Sequence, residues 1–227
     1  MRRIAIIGDY RPENPTHSAT NSALKHSADR SGVELVSQWV GTEQVSQTVL
    51  DHFGAVLIAP GSPYTDPENV LAAIRFAREQ RMPCLGTCGG FQYMVVEYAR
   101  NVLGIQGAQH GEYGTAGELF ITPLACSLAG RSMLLKLQPD SQVATHYGKT
   151  QVEEQYYCNF GVDPARVEQL KSGPLRFSGS DPEGELRVFE LPGHPFFIGT
   201  LFVPQARSLP GKPHPLISAF VRATPDR

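Results

Sequence analysis

The sequence predicts an α/β fold, a mostly parallel sheet covered by helices on both faces, with antiparallel additions in the second half. Three observations carry this. Short apolar runs alternate with helical periodicity through the first hundred residues, the pattern of βαβ units. Beyond them Gly and Pro become frequent, and strand-like runs follow one another without long helices between. The chain has 227 residues and shows no internal repeat, low-complexity stretch or long linker, so a single domain spanning 1–227 is expected.

In order, residues 4–7 read as a buried strand, 17–30 as a helix capped by Thr16, 33–40 as a second strand and 43–53 as a second helix. Residues 55–59 form a third strand ending at Pro60-Gly61-Ser62, and 69–80 a helix with Leu71, Ile74 and Phe76 partly on one face. A fourth strand, 83–87, leads into a fourth helix, 89–103. Residues 118–122, 132–137, 152–160, 185–191 and 196–202 read as strands, and 215–222 as a closing helix.

Composition excludes several function classes. Formal net charge is −2 and no Lys/Arg run stands out, so nucleic acid has no electrostatic footprint. No apolar run reaches membrane-spanning length. Met1-Arg2-Arg3 before Ile4–Gly8 has the look of a signal peptide, but Asp9 ends the apolar run early, and a first strand accounts for it. Four cysteines in no even framework point to a reducing cytoplasm. No His/Cys cluster has zinc-ligand spacing, so neither metal nor cofactor is expected.

The chemistry concentrates at Gly86-Thr87-Cys88-Gly89-Gly90-Phe91-Gln92, where a buried strand meets a helix. A nucleophile on a tight strand-to-helix turn needs small neighbours, because side chains there would collide with backbone. The helix N-terminus favours a thiolate. The Gly89 N–H points where an oxyanion would form, and Gly61 is the candidate second donor. Cys84 lies inside the strand and is expected in the core; Cys126 has no assigned role.

These residues, together with Ile4–Tyr10, Ser22–His26, Ala59-Pro60-Gly61-Ser62, Glu97–Gly104, Phe177-Ser178-Gly179, Leu191–Phe197 and His214-Pro215-Leu216, resemble the C-terminal glutaminase domain of CTP synthase over nearly the whole chain. The resemblance implies the three-layer, flavodoxin-like fold of class I glutamine amidotransferases. It implies Cys88 as the nucleophile that attacks a glutamine side-chain amide, Gly61 and Gly89 as oxyanion donors, and Gln92 and Glu112 as glutamine contacts.

The departures fall on the chemistry. The family's Q-F-H-P-E reads Leu201-Phe202-Val203-Pro204-Gln205, so base and orienting carboxylate have become Val203 and Gln205. Its R-H-R-H-R-Y-E reads Gln155-Tyr156-Tyr157-Cys158-Asn159-Phe160-Gly161, with Asn159 in place of the arginine that contacts substrate. Proton relay and carboxylate clamp are lost together while the elbow is kept, which predicts an altered substrate, less negative at the Asn159 end. His110 is the first candidate for a substitute base, ahead of His146 and His194. By the same resemblance Cys158 lies on a strand facing the elbow, where it pairs with Cys88 or fills the core as a neutral thiol. The resemblance extends to CTP synthase C-terminal region-related proteins, a group with selenocysteine-containing members, which adds weight to redox chemistry.

The sequence contains no G-x-x-x-x-G-K-[ST], so any ammonia released would serve a separate synthetase partner. Three readings stay open. The leading one is a cysteine-dependent amide or acyl hydrolase, amidotransferase-like, acting on a small amide or amino-acid-like molecule other than free glutamine. The elbow's demanding geometry favours it over a catalytically inactive binding or regulatory module. The third is a thiol redox protein using Cys88 and Cys158. Homo-oligomerisation is left open.

Overall fold

The computed structural model describes residues 1–114 and 117–227. In chain order the elements are β1 (Arg2–Ile7), α1 (Pro15–Ser31), β2 (Leu35–Val40), α2 (Gln47–Leu50), β3 (Ala55–Ile58), α3 (Pro67–Glu79), β4 (Cys84–Thr87) and α4 (Gly89–Asn101). They continue with β5 (Ala108–His110), β6 (Glu118–Pro123), β7 (Ser132–Leu137), α5 (Gln142–Tyr147), β8 (Gln151–Gln155), β9 (Phe160–Val162) and α6 (Val167–Lys171). The last are β10 (Arg176–Ser180), β11 (Leu186–Glu190), β12 (Phe197–Thr200) and α7 (Pro215–Ala223).

Nine strands form one sheet in the order β2-β1-β3-β4-β12-β11-β10-β7-β8. Its first five are parallel and the rest antiparallel. The second half therefore extends the parallel sheet edge-on, continuing its ladder. Strands β3, β4 and β12 are buried at every residue, as a parallel strand covered on both faces must be. Helix α1 packs with α7 and α7 with α5, while α3 packs with α4. The last contact is pinned by Arg78, whose Nη2 lies 2.7 Å from the fully buried Glu97 carboxylate. A second sheet, β5-β6-β9, packs on α4.

Several expectations are corrected. Helix α1 begins at Pro15, capped by the Asn14 side chain on the Thr16 N–H, because proline suits the first helical position and asparagine the cap. The expected helix at 43–53 is a 3-10 turn (Thr42–Gln44) and the short α2, separated where Ser46 caps Val49. The expected strand at 152–160 breaks into β8 and β9. Between them, Tyr156, Cys158 and Asn159 exchange backbone hydrogen bonds with Leu124, Leu128, Gly130 and Arg131 instead of a sheet neighbour. The short helices α5 and α6 and strands β5 and β10 carried no signal that the sequence reading used.

Strand β4 passes into α4 through Cys88, held at φ 53°, ψ −110°, with its N–H on the Thr200 carbonyl at 2.9 Å. A Cβ at Gly90 would stand 2.3 Å from the Ile58 carbonyl oxygen, and one at Gly86 would stand 2.4 Å from Met94 Sδ. Both glycines are therefore required by the turn.

Four buried histidines share one arrangement. Nδ1 of His17, His110, His194 and His214 accepts a backbone N–H, from Arg11, Glu112, Phe196 and Leu216 respectively. Nε2 therefore carries the hydrogen and donates it, to Pro60 O, Gln92 Oε1, Ala77 O and Glu154 Oε1. Burial pulls His17 and His194 below the ordinary histidine value and takes His110 down to about 4.

Two outcomes follow from this packing. Gly90→Ala lowers stability by about 2 kcal/mol or more, read as a lower denaturant midpoint at unchanged slope. The unfolded chain protonates His110 near pH 6.5 and the native chain does not until about 4. Stability therefore falls as pH drops through that window, by roughly 3 kcal/mol for His110 alone. Denaturant melts at pH 7.5 and pH 4, with His110→Gln beside the parent, measure that share.

Candidate active site

The elbow opens into a cavity of about 290 Å³ lined by Asn14, Pro15, Thr16, Pro60, Gly61, Ser62, Cys88, Gln92, Glu112, Tyr157, Cys158, Asn159 and Phe160. Three regions build it: the start of α1, the loop after β3 with the elbow, and the segment joining β8 to β9. Cys88 is 8% exposed. Gly61, Cys88, Gln92, Glu112 and Asn159 meet at this cavity, while Gly89, His110, Val203 and Gln205 are not among the residues that line it.

Gly61 and Gly89 are the candidate backbone donors near Cys88. Gly61 sits at φ +104°, and a Cβ on it would come within 2.7 Å of His17 Nε2. That imidazole holds the Pro60 carbonyl at 2.9 Å and so fixes the loop. At the first residue of α4, Gly89 lies against Ser62. Among the described residues neither the Gly61 nor the Gly89 N–H has an acceptor, which leaves both free for a developing negative charge.

Gln92 is held on both sides. Its Nε2 donates to Phe160 O at 2.8 Å and its Oε1 accepts from His110 Nε2 at 2.9 Å. The substitute-base expectation for His110 is corrected by this geometry. Its Nδ1 lone pair is taken by the Glu112 N–H and its Nε2 hydrogen by Gln92, so no nitrogen is left to take a proton from Cys88. His146 stacks on Phe196 and His194 bonds Ala77 and Phe196; neither lines the cavity.

The half-buried Glu112 has an enclosed Oε2 without a hydrogen-bond partner among the described residues. Burial raises its carboxyl above the ordinary value, partly opposed by the Ser62 hydroxyl. Asn159 presents an exposed side chain whose Oδ1 accepts from Ser127 Oγ at 2.6 Å. Val203 is fully buried, with its N–H on Gln155 O. Gln205 spends its amide nitrogen on Thr87 and Thr20. Neither an aliphatic side chain nor a neutral amide can accept a proton from a thiol.

The position beside Cys88 is taken by sulfur. Cys158 Sγ lies 2.7 Å from Cys88 Sγ and 2.9 Å from Leu201 O, and both thiols are free. Burial pushes the Cys158 thiol well above its ordinary value, so it is a protonated donor. Cys158 stands on the irregular segment between β8 and β9, and the strand expected there is absent. Cys84 is buried in β4 and Cys126 is exposed. Sequence reasoning missed His17, Ser62, Asn14 and Thr16 as wall and buttress; the Asn14-Pro15-Thr16 cap was the available signal. Among the described residues no group of three or more His, Cys, Asp or Glu side chains could hold a metal, and no helix is long and apolar enough to cross a membrane.

The family model for class I glutamine amidotransferases matches residues 16–223. CTP synthase of Methanothrix thermoacetophila is 34% identical over 97% of this chain and 44% of its own length. That of Thermococcus gammatolerans is 33% identical over 99% of this chain and 45% of its own. The chain thus spans less than half the length of these curated relatives. Among solved structures, the glutaminase domain of Trypanosoma brucei CTPS with bound acivicin superposes with a TM-score of 0.89 at 23% identity, covering 99% of this chain and 94% of that one. A glutamine amidotransferase of Thermotoga maritima gives 0.59 at 11% identity, covering 90% and 76%. With the matched model spanning α1 to α7 and the sheet order superposing on a glutaminase domain, the chain belongs to the class I glutamine amidotransferase family.

Proposed function

We propose that Cys88 is the nucleophile of a small-molecule site of glutaminase descent, directed at an acyl compound or amide other than free glutamine. The observation that carries this is the elbow itself. Cys88 is held in a left-handed conformation at a cavity of about 290 Å³, with the Gly61 and Gly89 N–H groups free beside it. Left-handed geometry at a non-glycine residue costs about 1–3 kcal/mol and persists where function or packing demands it.

In this reading the Cys88 thiolate attacks the carbonyl carbon. The new C–S bond forms as the carbonyl π electrons move to oxygen, which Gly61 and Gly89 stabilise. Collapse expels the leaving group and leaves a thioester on Cys88, which water then hydrolyses. An amine leaves only with a proton. The titratable side chains lining the cavity are Cys88, Glu112, Tyr157 and Cys158, and no imidazole is among them. Leaving groups that depart as anions, thiolates above all, are therefore favoured over amines. No Lys or Arg lines the cavity, which supports a ligand that places an ammonium or amide near Glu112 and an uncharged end near Asn159. A separate synthetase partner is not needed for such chemistry.

A second reading, a binding module without turnover, is favoured by one observation: Val203 and Gln205 are built into the core. It differs in requiring ligand binding that survives Cys88→Ala.

Limiting iodoacetamide, followed by peptide mapping to separate the exposed Cys126, labels Cys88, and a glutamine-shaped chloroketone does not. Labelling by both overturns the altered-substrate reading, and labelling by neither favours the binding module. In turnover, an aryl thioester exceeds the matching anilide in kcat/KM by at least about a hundredfold, the usual size of a missing general acid. Equal rates would mean that a proton donor acts at the site.

A further inference from the structure

We infer that Cys88 and Cys158 are a reversible dithiol/disulfide couple, in which Cys88 reacts first with a small hydroperoxide and Cys158 resolves the product. This extends the use of Cys88 as a nucleophile but does not depend on acyl transfer.

The two sulfurs come from elements 70 residues apart and lie 2.7 Å from one another. Both line the same cavity. Forming a bond of about 2 Å between them requires less than about 1 Å of movement. Cys158 is anchored against the Leu201 carbonyl at 2.9 Å, which aims its sulfur at Cys88. Cys84, also buried, lies within β4, and among the described residues the thiol–thiol contact is that of Cys88 with Cys158.

The cavity also selects the oxidant. Cys88 is 8% and Cys158 2% exposed, which keeps a disulfide on a protein surface from reaching either sulfur and admits a small molecule. The free N–H groups of Gly61 and Gly89 suit a step in which an oxygen leaves with negative charge. A hydroperoxide provides that step. The Cys88 thiolate attacks the distal peroxide oxygen; an S–O bond forms, the O–O bond breaks, and the alkoxide departs and takes a proton to become an alcohol. Cys88 is then a sulfenic acid. Cys158, losing its proton to the departing hydroxide, attacks the Cys88 sulfur; the S–S bond forms, the S–O bond breaks, and water leaves. Two thiols and one hydroperoxide give one disulfide, one alcohol and one water. A small thiol reductant returns the couple by two exchange steps and is itself oxidised to its disulfide.

The test uses the full chain in a Cys126→Ser background, which removes the exposed thiol. With stoichiometric tert-butyl hydroperoxide, intact mass falls by two hydrogens, peptide mapping shows a Cys88–Cys158 linkage, and dithiothreitol restores both thiols. In Cys158→Ser and in Cys158→Ala the disulfide is lost, and Cys88 is instead trapped as a sulfenic acid by dimedone. Over-oxidation of Cys88 without a linkage to Cys158 overturns the inference. A linkage formed by cystamine but not by the hydroperoxide overturns the oxidant class. The mapping on the Cys158-containing chain decides the matter even if both variants fail to fold. Loss of this chemistry with Cys88 still alkylated by limiting iodoacetamide sinks the couple and leaves the acyl reading standing.

Discussion

The constraint on which the rest depends is the left-handed backbone at Cys88. A non-glycine residue adopts it only when its surroundings enforce it. Here the enforcement comes from the centre of the sheet. β4 is flanked by β3 and β12, the Cys88 N–H is held by Thr200 at the end of β12, and α4 begins at once with Gly89 and runs buried through Ala99. The close approach of Gly90 to Ile58 and of Gly86 to Met94 lets strand and helix meet at this angle. A strained residue is thereby held by the buried centre of the sheet, which also forms the floor of the cavity.

The cavity walls are rigid for a related reason. Polar side chains that could serve chemistry are instead spent on structure. His17 holds Pro60, His110 holds Gln92, Gln92 holds Phe160, and Gln205 holds Thr87. Each buried imidazole is locked in one tautomer by a backbone N–H on Nδ1, and protonating Nδ1 would break that hydrogen bond. What remains at the cavity is small: two thiols, the Glu112 carboxylate with the Ser62 hydroxyl, the Tyr157 hydroxyl, and the backbone donors of Gly61 and Gly89. No imidazole is among these groups, whereas two sulfurs lie in contact there.

The parallel half was legible because β1, β3 and β4 are buried continuous apolar runs and their boundaries carry Gly or Pro, signals that read directly. The elbow was legible for the same steric reason: few uses other than a tight turn account for Gly86, Gly89 and Gly90 around one cysteine. The β8–β9 break was not legible. Residues 152–160 are apolar and aromatic enough to pass for one strand, and the backbone partners that divert them, Leu124 to Arg131, lie elsewhere in sequence. The role of His110 was hidden likewise, since a histidine near a pocket looks like a base until both nitrogens are seen to be occupied.

The Leu201–Gln205 and Gln155–Asn159 stretches are also in contact. The Val203 N–H donates to Gln155 O, and the Leu201 carbonyl takes up Cys158 Sγ, so the Leu201–Gln205 and Gln155–Asn159 segments lie directly against each other beside Cys88. Val203, Gln205, Cys158 and Asn159 thus belong to two adjoining segments of the fold. The aliphatic Val203 buries completely and does not line the cavity, while the neighbouring segment brings the Cys158 sulfur against Cys88.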